Sequence, residues 1–500
     1  MLVAITVLFI IGYLAIALEH PLRIDKTASA LLLGMLLWVL YAFGAETIVP
    51  AVSGEELKEF IAASSASLQQ ESLARQCLEF ILNVKIIEHM GDISSTLFFL
   101  VGAMTIVELI DVHGGFSIIT DRISTRQKRK LLWIICIIAF FLSAVLDNLT
   151  TTIVMIMLLR KLINNQQERW IYASMVVIAA NTGGAWSPIG DVTTIMLWVK
   201  GNVTTTALIT YVLLPSIVAL LIPLLLATRK LNGELPEGNR IVTRSDFISP
   251  REKKTIFFLG VGGLIFVPIF KSITHLPPFI GILFVLSLLW IFTEIMYNHK
   301  MLEKAEEHRV PQVISRIDMP SILFFLGILM AVAVLQSTGI LGSVAGWLDK
   351  EVHNTYLISI VLGLLSSIVD NVPLVAAAMG MYPIADPGTV GYMANFVQDG
   401  TFWEFISYCA GVGGSILIIG SAAGVVAMGL EKINFGWYLK NISLLALIGY
   451  LAGACAKLLK ILIRFFFCHF NAAFFCESHE FFGSFHFFCF CKQFFVHFHL

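Results

Sequence analysis

The sequence predicts an all-α polytopic membrane protein of two inverted repeats, each holding a re-entrant helical hairpin and a broken transmembrane helix. Three observations predict it. First, 57% of the 500 residues are hydrophobic and only 13% are charged, with a mean hydropathy of +0.85, whereas a soluble chain carries about a quarter charged residues. Second, an Asp-Asn pair occurs twice inside apolar sequence, in FLSAVLDNLTTTIVMIM (141–157) and LLSSIVDNVPLVAAAM (364–379). Third, flanking segments repeat in the same order. LFFLVGAMTIVEL (97–109) matches LFFLGILMAVAVL (323–335), and TGGAWSPIGD (182–191) matches VGGSILIIGS (412–421), so the three blocks recur at offsets of 226, 223 and 230 residues.

A bilayer core of about 30 Å takes roughly 20 apolar residues per helix. On that measure, spans are expected at 2–18, 28–43, 93–112, 207–227, 255–271, 278–296, 320–338 and 436–458. The first of these has the apolar run of a signal peptide but neither a charged n-region nor a small-residue cleavage site, so it is read as a span. Four further segments, 131–159, 170–199, 354–384 and 402–430, are apolar but interrupted midway by Asp-Asn, Pro or Gly clusters.

Lys and Arg in short loops mark the cytoplasmic side. DRISTRQKRK (121–130), RKLINNQQER (160–169), the stretch 229–254 and the stretch 298–316 are basic, while 383–401 contains no Lys or Arg. The segment 131–159 then has both flanks inside and reads as a hairpin, and 354–384 reads as a second hairpin entering from the opposite face. The expected organisation is a first repeat over 1–227, a basic cytoplasmic linker at 228–254, a second repeat over 255–463 and an atypical tail at 464–500. About two-fifths of that tail is phenylalanine, and its Cys and His lack zinc-type spacing. It is assigned no function.

Net charge is −1 and the basic residues are confined to loops, which excludes a nucleic-acid surface. No soluble catalytic domain and no cofactor motif is visible. Of eight cysteines, Cys77, Cys136, Cys409 and Cys455 stand singly and the rest crowd the tail, so no disulfide framework is implied.

Interrupted helices are tolerated at membrane depth only where they line protein or a polar cavity, and inverted repeats place their sites near the midplane. The hairpins are therefore expected to bring Asp147-Asn148 and Asp370-Asn371 together, beside spans opened by Thr182, Gly183, Gly184, Ser187, Pro188, Gly190 and Asp191 and by Gly411, Gly413, Gly414, Ser415, Gly420, Ser421 and Gly424. An intramembrane carboxylate costs about 2.5 kcal/mol or more and is a functional candidate by default. Burial works against its charged form while a bound cation favours it, so such a group holds a proton or a small cation by turns.

Hard alkali cations take oxygen ligands. Asp147, Asn148, Thr150, Thr151, Thr182, Ser187, Asp191, Asp370, Asn371 and Ser415 supply them, with Na⁺ expected at Asp147 and Asp370. Proton coupling is expected at Asp147, Asp370, Asp191 and Glu108. Asp191 has no acidic counterpart in the second half, where Ser421 takes its place, which suggests that the first half does more of the coupling.

At FFLVGAMTIVELIDVHGGF (98–116), LDNLTTTIVM (146–155), NTGGAWSPIGDVTTIMLW (181–198) and VDNVPLVAAAMGMY (369–382), the sequence resembles the NhaD-type sodium/proton antiporters of the ion transporter superfamily, over roughly residues 1–460. The resemblance implies exchange of Na⁺, often also Li⁺, for H⁺ across a bacterial-type inner (cytoplasmic) membrane. It also implies kinship with arsenite permeases and dicarboxylate/sodium symporters, and an elevator motion of a homodimer in the bilayer. Hairpin tips in the dicarboxylate relatives carry Ser-Asn-Thr. Asp-Asn tips repel a carboxylate substrate and attract a cation.

Plainer readings stand beside these. Asp147 and Asp370 have the plainer, less favoured reading of caps of hairpin turns, and Asp191 reads as readily as the N-cap of a helix starting at Val192. Glu108 lies near the cytoplasmic end of its span and reaches interfacial water. His113 reads as a loop residue rather than a proton relay, Glu19 and His20 as the end of the first span, and the Gly pairs as close-packing points. Two rivals remain. One is an anion, arsenite or dicarboxylate carrier of the same superfamily. The other is an intramembrane aspartyl protease, which needs two carboxylates sharing a proton, in sequence contexts this chain does not have.

Overall fold

Helices begin where a short polar side chain can cap them and end where glycine, aspartate or a loop breaks the apolar run. The computed structural model describes residues 1–17, 19–116, 118, 125–235, 249–298, 309–368 and 370–459. Among the described residues there are no strands, only isolated bridges such as Gln127 with Glu234. Among the described residues, eight helices are long and apolar enough to cross a membrane: Lys26–Phe43, Leu73–Val112, Lys128–Leu146, Thr205–Thr228, Pro250–Thr274, Pro278–Tyr297, Met319–Ser337 and Phe435–Leu459. The protein is a multi-pass, all-α membrane protein.

The first expected span contains the helix Leu2–Ala17, and one other expected span differs for a local reason. The span expected at 93–112 is the end of a 40-residue helix that starts on the Ser72 cap and passes a π-helical turn at Ile81–Lys85. The tail at 464–500 and linker residues 236–248 lie outside the described residues.

The chain forms two compact units, one of Met1–Ser124, Arg240–His353 and Ile368–Tyr382, the other of Thr125–Asn239, Asn354–Ser367 and Pro383–Leu500. These units do not follow the sequence repeats, for each draws segments from both halves. In the first unit, Lys26–Phe43 packs along Met319–Ser337 in the same direction. Thr27 donates to Pro320 O (3.1 Å) and Trp38 Nε1 to Met330 O (3.1 Å). Between them Gly34 meets Gly327, where an added Cβ would lie 2.5 Å from the Gly327 carbonyl oxygen. Small residues let membrane helices approach this closely.

The second unit contains the first hairpin entire. Lys128 pairs with Glu168, the Tyr172 hydroxyl donates to Lys128 O (2.9 Å) and Ser143 Oγ to Ala180 O (2.6 Å), so Lys128–Leu146 runs alongside Gln166–Gly184 in the same direction. Asn148–Leu162 runs back against that helix: Asn148 meets Asn181 at one end, and Arg160 and Arg169 share Glu431 at the other. The chain thus reverses at Asp147.

The second repeat reuses these contacts. Ser366 Oγ donates to Ala410 O (2.9 Å) as Ser143 does to Ala180 O. A Cβ on Gly413 would lie 2.1 Å from the Gly363 carbonyl, and one on Gly183 the same distance from that of Phe140. Of the second hairpin, the arm Thr355–Leu365 belongs to this unit and the arm Asn371–Met381 to the first.

Candidate functional site

Both interrupted spans open as their glycines predict. Gln166–Gly184 stops and Val192–Val199 starts anew on the Asp191 cap, while Thr401–Gly413 stops and Ala422–Glu431 starts on Ser421. The two breaks face each other in the second unit, where a buried polar knot joins them. The Asn148 amide donates to Asp191 Oδ2 (2.6 Å) and to Asn181 Oδ1 (3.0 Å). Asn181 Nδ2 in turn donates to the hydroxyls of Ser415 and Ser421, both at 2.9 Å. The other Asp191 oxygen accepts the backbone N–H and the hydroxyl of Thr193, each at 2.9 Å. Asn181 is fully buried, and Asp191, Ser415 and Ser421 are each 1% exposed.

Asp147 lies at the hairpin tip, half-buried and within electrostatic reach of Asp191. Its recorded partners are neutral: the Thr150 N–H at 2.7 Å and the Thr150 hydroxyl at 3.0 Å. Thr151, one turn along, is fully buried with no partner for its hydroxyl.

The remaining expected ligands are placed differently. Thr182 bonds back to Ile178 O and Ala179 O within its own helix, and Ser187 ties the broken span to the hairpin tip through Ala144 O (2.5 Å). Asp370 and Asn371 belong to the first unit, level with the first turns of Lys26–Phe43 and Met319–Ser337, where Asp370 pairs with Lys26 at 3.3 Å. Glu108 is half-buried in the first unit. His113, expected in a loop, instead caps the end of its helix. It is fully buried, with Nδ1 2.6 Å from Leu109 O and Nε2 2.5 Å from the Tyr297 hydroxyl, because two ring nitrogens out of water need two partners.

Sequence reading passes over Asn181 and Thr193. The signal for Asn181 is an amide placed directly before Thr182 and the helix-opening Gly183-Gly184, but its partners stand more than 230 residues away. Among the described residues no three His, Cys, Asp or Glu side chains gather as a metal site.

Apolar spans, a reversing hairpin and facing broken helices around a buried polar knot define a multi-pass helical membrane protein. Residues 7–397 match the sequence pattern of the CitMHS citrate transporter family. The chain is 43% identical over 458 residues to sodium/proton antiporter 1 of Arabidopsis thaliana, covering 91% of this chain and 72% of the relative. It is 43% identical over 449 residues to sodium/proton antiporter 2 of the same plant, covering 89% and 96%. With the Na⁺/H⁺ antiporter NhaD of Vibrio cholerae it shares 28% identity over 484 residues, covering 91% of each chain. The chain belongs to the CitMHS family of transporters, in its NhaD-type branch.

Proposed function

We propose that this protein is a secondary active antiporter exchanging Na⁺, or Li⁺, for H⁺, the two competing for carboxylates in the buried knot. The observation that carries the reading is the buried Asp191 carboxylate at the break between helices, bonded to Asn148 and Thr193 and joined through Asn181 to Ser415 and Ser421, with Asp147 at the adjacent hairpin tip. Carboxylates at such depth are costly as anions, and a proton or an alkali ion removes that cost equally well. When Na⁺ enters, the proton leaves, and the reverse step resets the site. Asp147 and Asp191 carry the exchange, with Asn148, Thr150, Thr151 and Ser415 as oxygen ligands. Thr182 and Ser187 hold the open backbone in shape. Asp370 and Asn371 act at the second hairpin tip, and Glu108 relays protons along its helix.

The proposal extends to a homodimer in a bacterial-type inner membrane. The family pattern's description favours a second reading, carriage of citrate. Two carboxylates at one site oppose it, because a tricarboxylate anion meets like charge there.

Fluorescence of a proton-gradient dye in vesicles containing the protein separates the readings, with Na⁺, Li⁺, K⁺ and citrate added in turn. Proton movement on Na⁺ or Li⁺ alone supports exchange. Proton movement indifferent to both cations, or dependent on citrate, rules it out.

A further inference from the structure

The Asp370 carboxylate is already occupied by a cation of the protein's own. Lys26 Nζ lies 3.3 Å from Asp370 Oδ2, while Oδ1 accepts the Val372 N–H at 3.2 Å. The pair is sheltered: the two side chains are 22% and 13% exposed, and the ammonium sits 4.7 Å from the centroid of the Phe324 ring. Tyr13, whose buried hydroxyl has no hydrogen-bond partner, lies within electrostatic reach of the same carboxylate.

Nothing local calls for a lysine at this place. Lys26 is the first residue of its helix, directly after the capping Asp25, where the helix macrodipole is positive and a cation is disfavoured. A local rule broken at the mouth of an apolar span, with its compensation 344 residues away in sequence, is a mark of function rather than of folding convenience. The first hairpin tip differs, since the recorded partners of Asp147 are the neutral groups of Thr150.

We propose that Lys26 is the resident cation of Asp370: its ammonium holds the seat this carboxylate offers to an alkali ion, so that Na⁺ reaches Asp370 only by displacing Lys26. Lys26 thereby sets the affinity for transported cation at the second hairpin tip. One carboxylate carries one negative charge, so ammonium and Na⁺ cannot both be neutralised there. Lys26 is a specificity-determining residue of the exchange, and the inference rests on the exchange reading above.

The test uses full-length protein in proteoliposomes, comparing wild type, Lys26→Gln and Lys26→Arg for the Na⁺ concentration giving half-maximal proton flux. The rise in melting temperature caused by Na⁺ in detergent is measured alongside. Removing the competing charge in Lys26→Gln is expected to lower the half-maximal Na⁺ about fivefold or more and to enlarge the Na⁺-induced thermal shift. Lys26→Arg, whose planar fork grips a carboxylate more firmly, is expected to raise the half-maximal Na⁺. If Lys26→Gln fails to insert, Lys26→Arg decides alone. An active wild type with half-maximal Na⁺ unchanged in the inserted variants overturns the role of Lys26 and leaves the exchange reading standing. A wild type without Na⁺-dependent flux overturns the exchange reading itself.

Discussion

Asp147 adopts φ 107° and ψ 164°, a region that is essentially glycine's own and costs an ordinary residue about 1–3 kcal/mol. A residue kept there despite the cost is a functional candidate, and its partner at the other tip, Asp370, is unstrained at φ −48° and ψ 137°. Asp147→Asn separates charge from capping, because asparagine is nearly the same shape and caps helices as well as aspartate. The variant is expected to insert normally and to lose Na⁺-driven proton flux about 10-fold to 100-fold, the scale of one charged contact. Full flux in the inserted variant moves the site elsewhere. Asn181→Ala removes one acceptor of the Asn148 amide and the donor to the Ser415 and Ser421 hydroxyls, so a stability loss of about 1–3 kcal/mol, read as a lower melting temperature, is expected together with impaired flux. Asp147, Asp191 and Ser415 are legible in the sequence because a polar residue inside apolar chain stands out by itself. The partners of Asn181 and the lysine at Asp370 are not, since each contact joins positions whose proximity only the folded chain creates.

At the scale of elements, hairpin and broken helix act as one module. Backbone carbonyls of the hairpin arm approach Gly183 and Gly413 so closely that any side chain collides with main chain. Gly183→Ala is therefore expected to spread the arm from its partner helix and abolish flux, with trypsin sensitivity of the membrane-inserted protein rising; unchanged flux and protection would show that this packing does not matter. Glu431 fastens the outer end of the module. It is fully buried, with Arg160 Nε and Arg169 Nε each 2.7 Å from its two oxygens and its carbonyl accepting from Trp170 Nε1 and Gln166 Nε2. Removing one partner of a buried ion pair costs about 3–5 kcal/mol, so Glu431→Gln is expected to lower the melting temperature sharply while Na⁺ affinity in the surviving fraction stays near wild type. The interrupted spans, with their Gly and Pro clusters, were readable to within a few residues. The 40-residue helix ending at Val112 was not, because hydropathy sees apolar length and not where a cap such as Ser72 begins a helix.

At the scale of the whole molecule, similar segments recur in the sequence at offsets of 226, 223 and 230 residues, yet the compact units cut across that recurrence. Part of the reason is visible within the second unit: the amide of Asn181 from one half holds two hydroxyls of the other, so the broken helices of both halves share one unit. The copies have diverged at the chemistry, with Asp191 in one and Ser421 in the other, and a neutral-partnered Asp147 against a lysine-paired Asp370. Truncation after residue 463 is expected to leave Na⁺-driven flux intact in inserted protein, since the relatives and the membrane helices account for the chain before it. The central claim is that a proton and an alkali ion exclude each other at the knot, and calorimetric titration of Na⁺ into the purified protein across a series of pH values tests it most directly. One proton displaced per ion predicts proton release on binding and an apparent affinity that weakens up to about tenfold per unit fall in pH. A Na⁺ affinity independent of pH, with no proton released, would contradict the account.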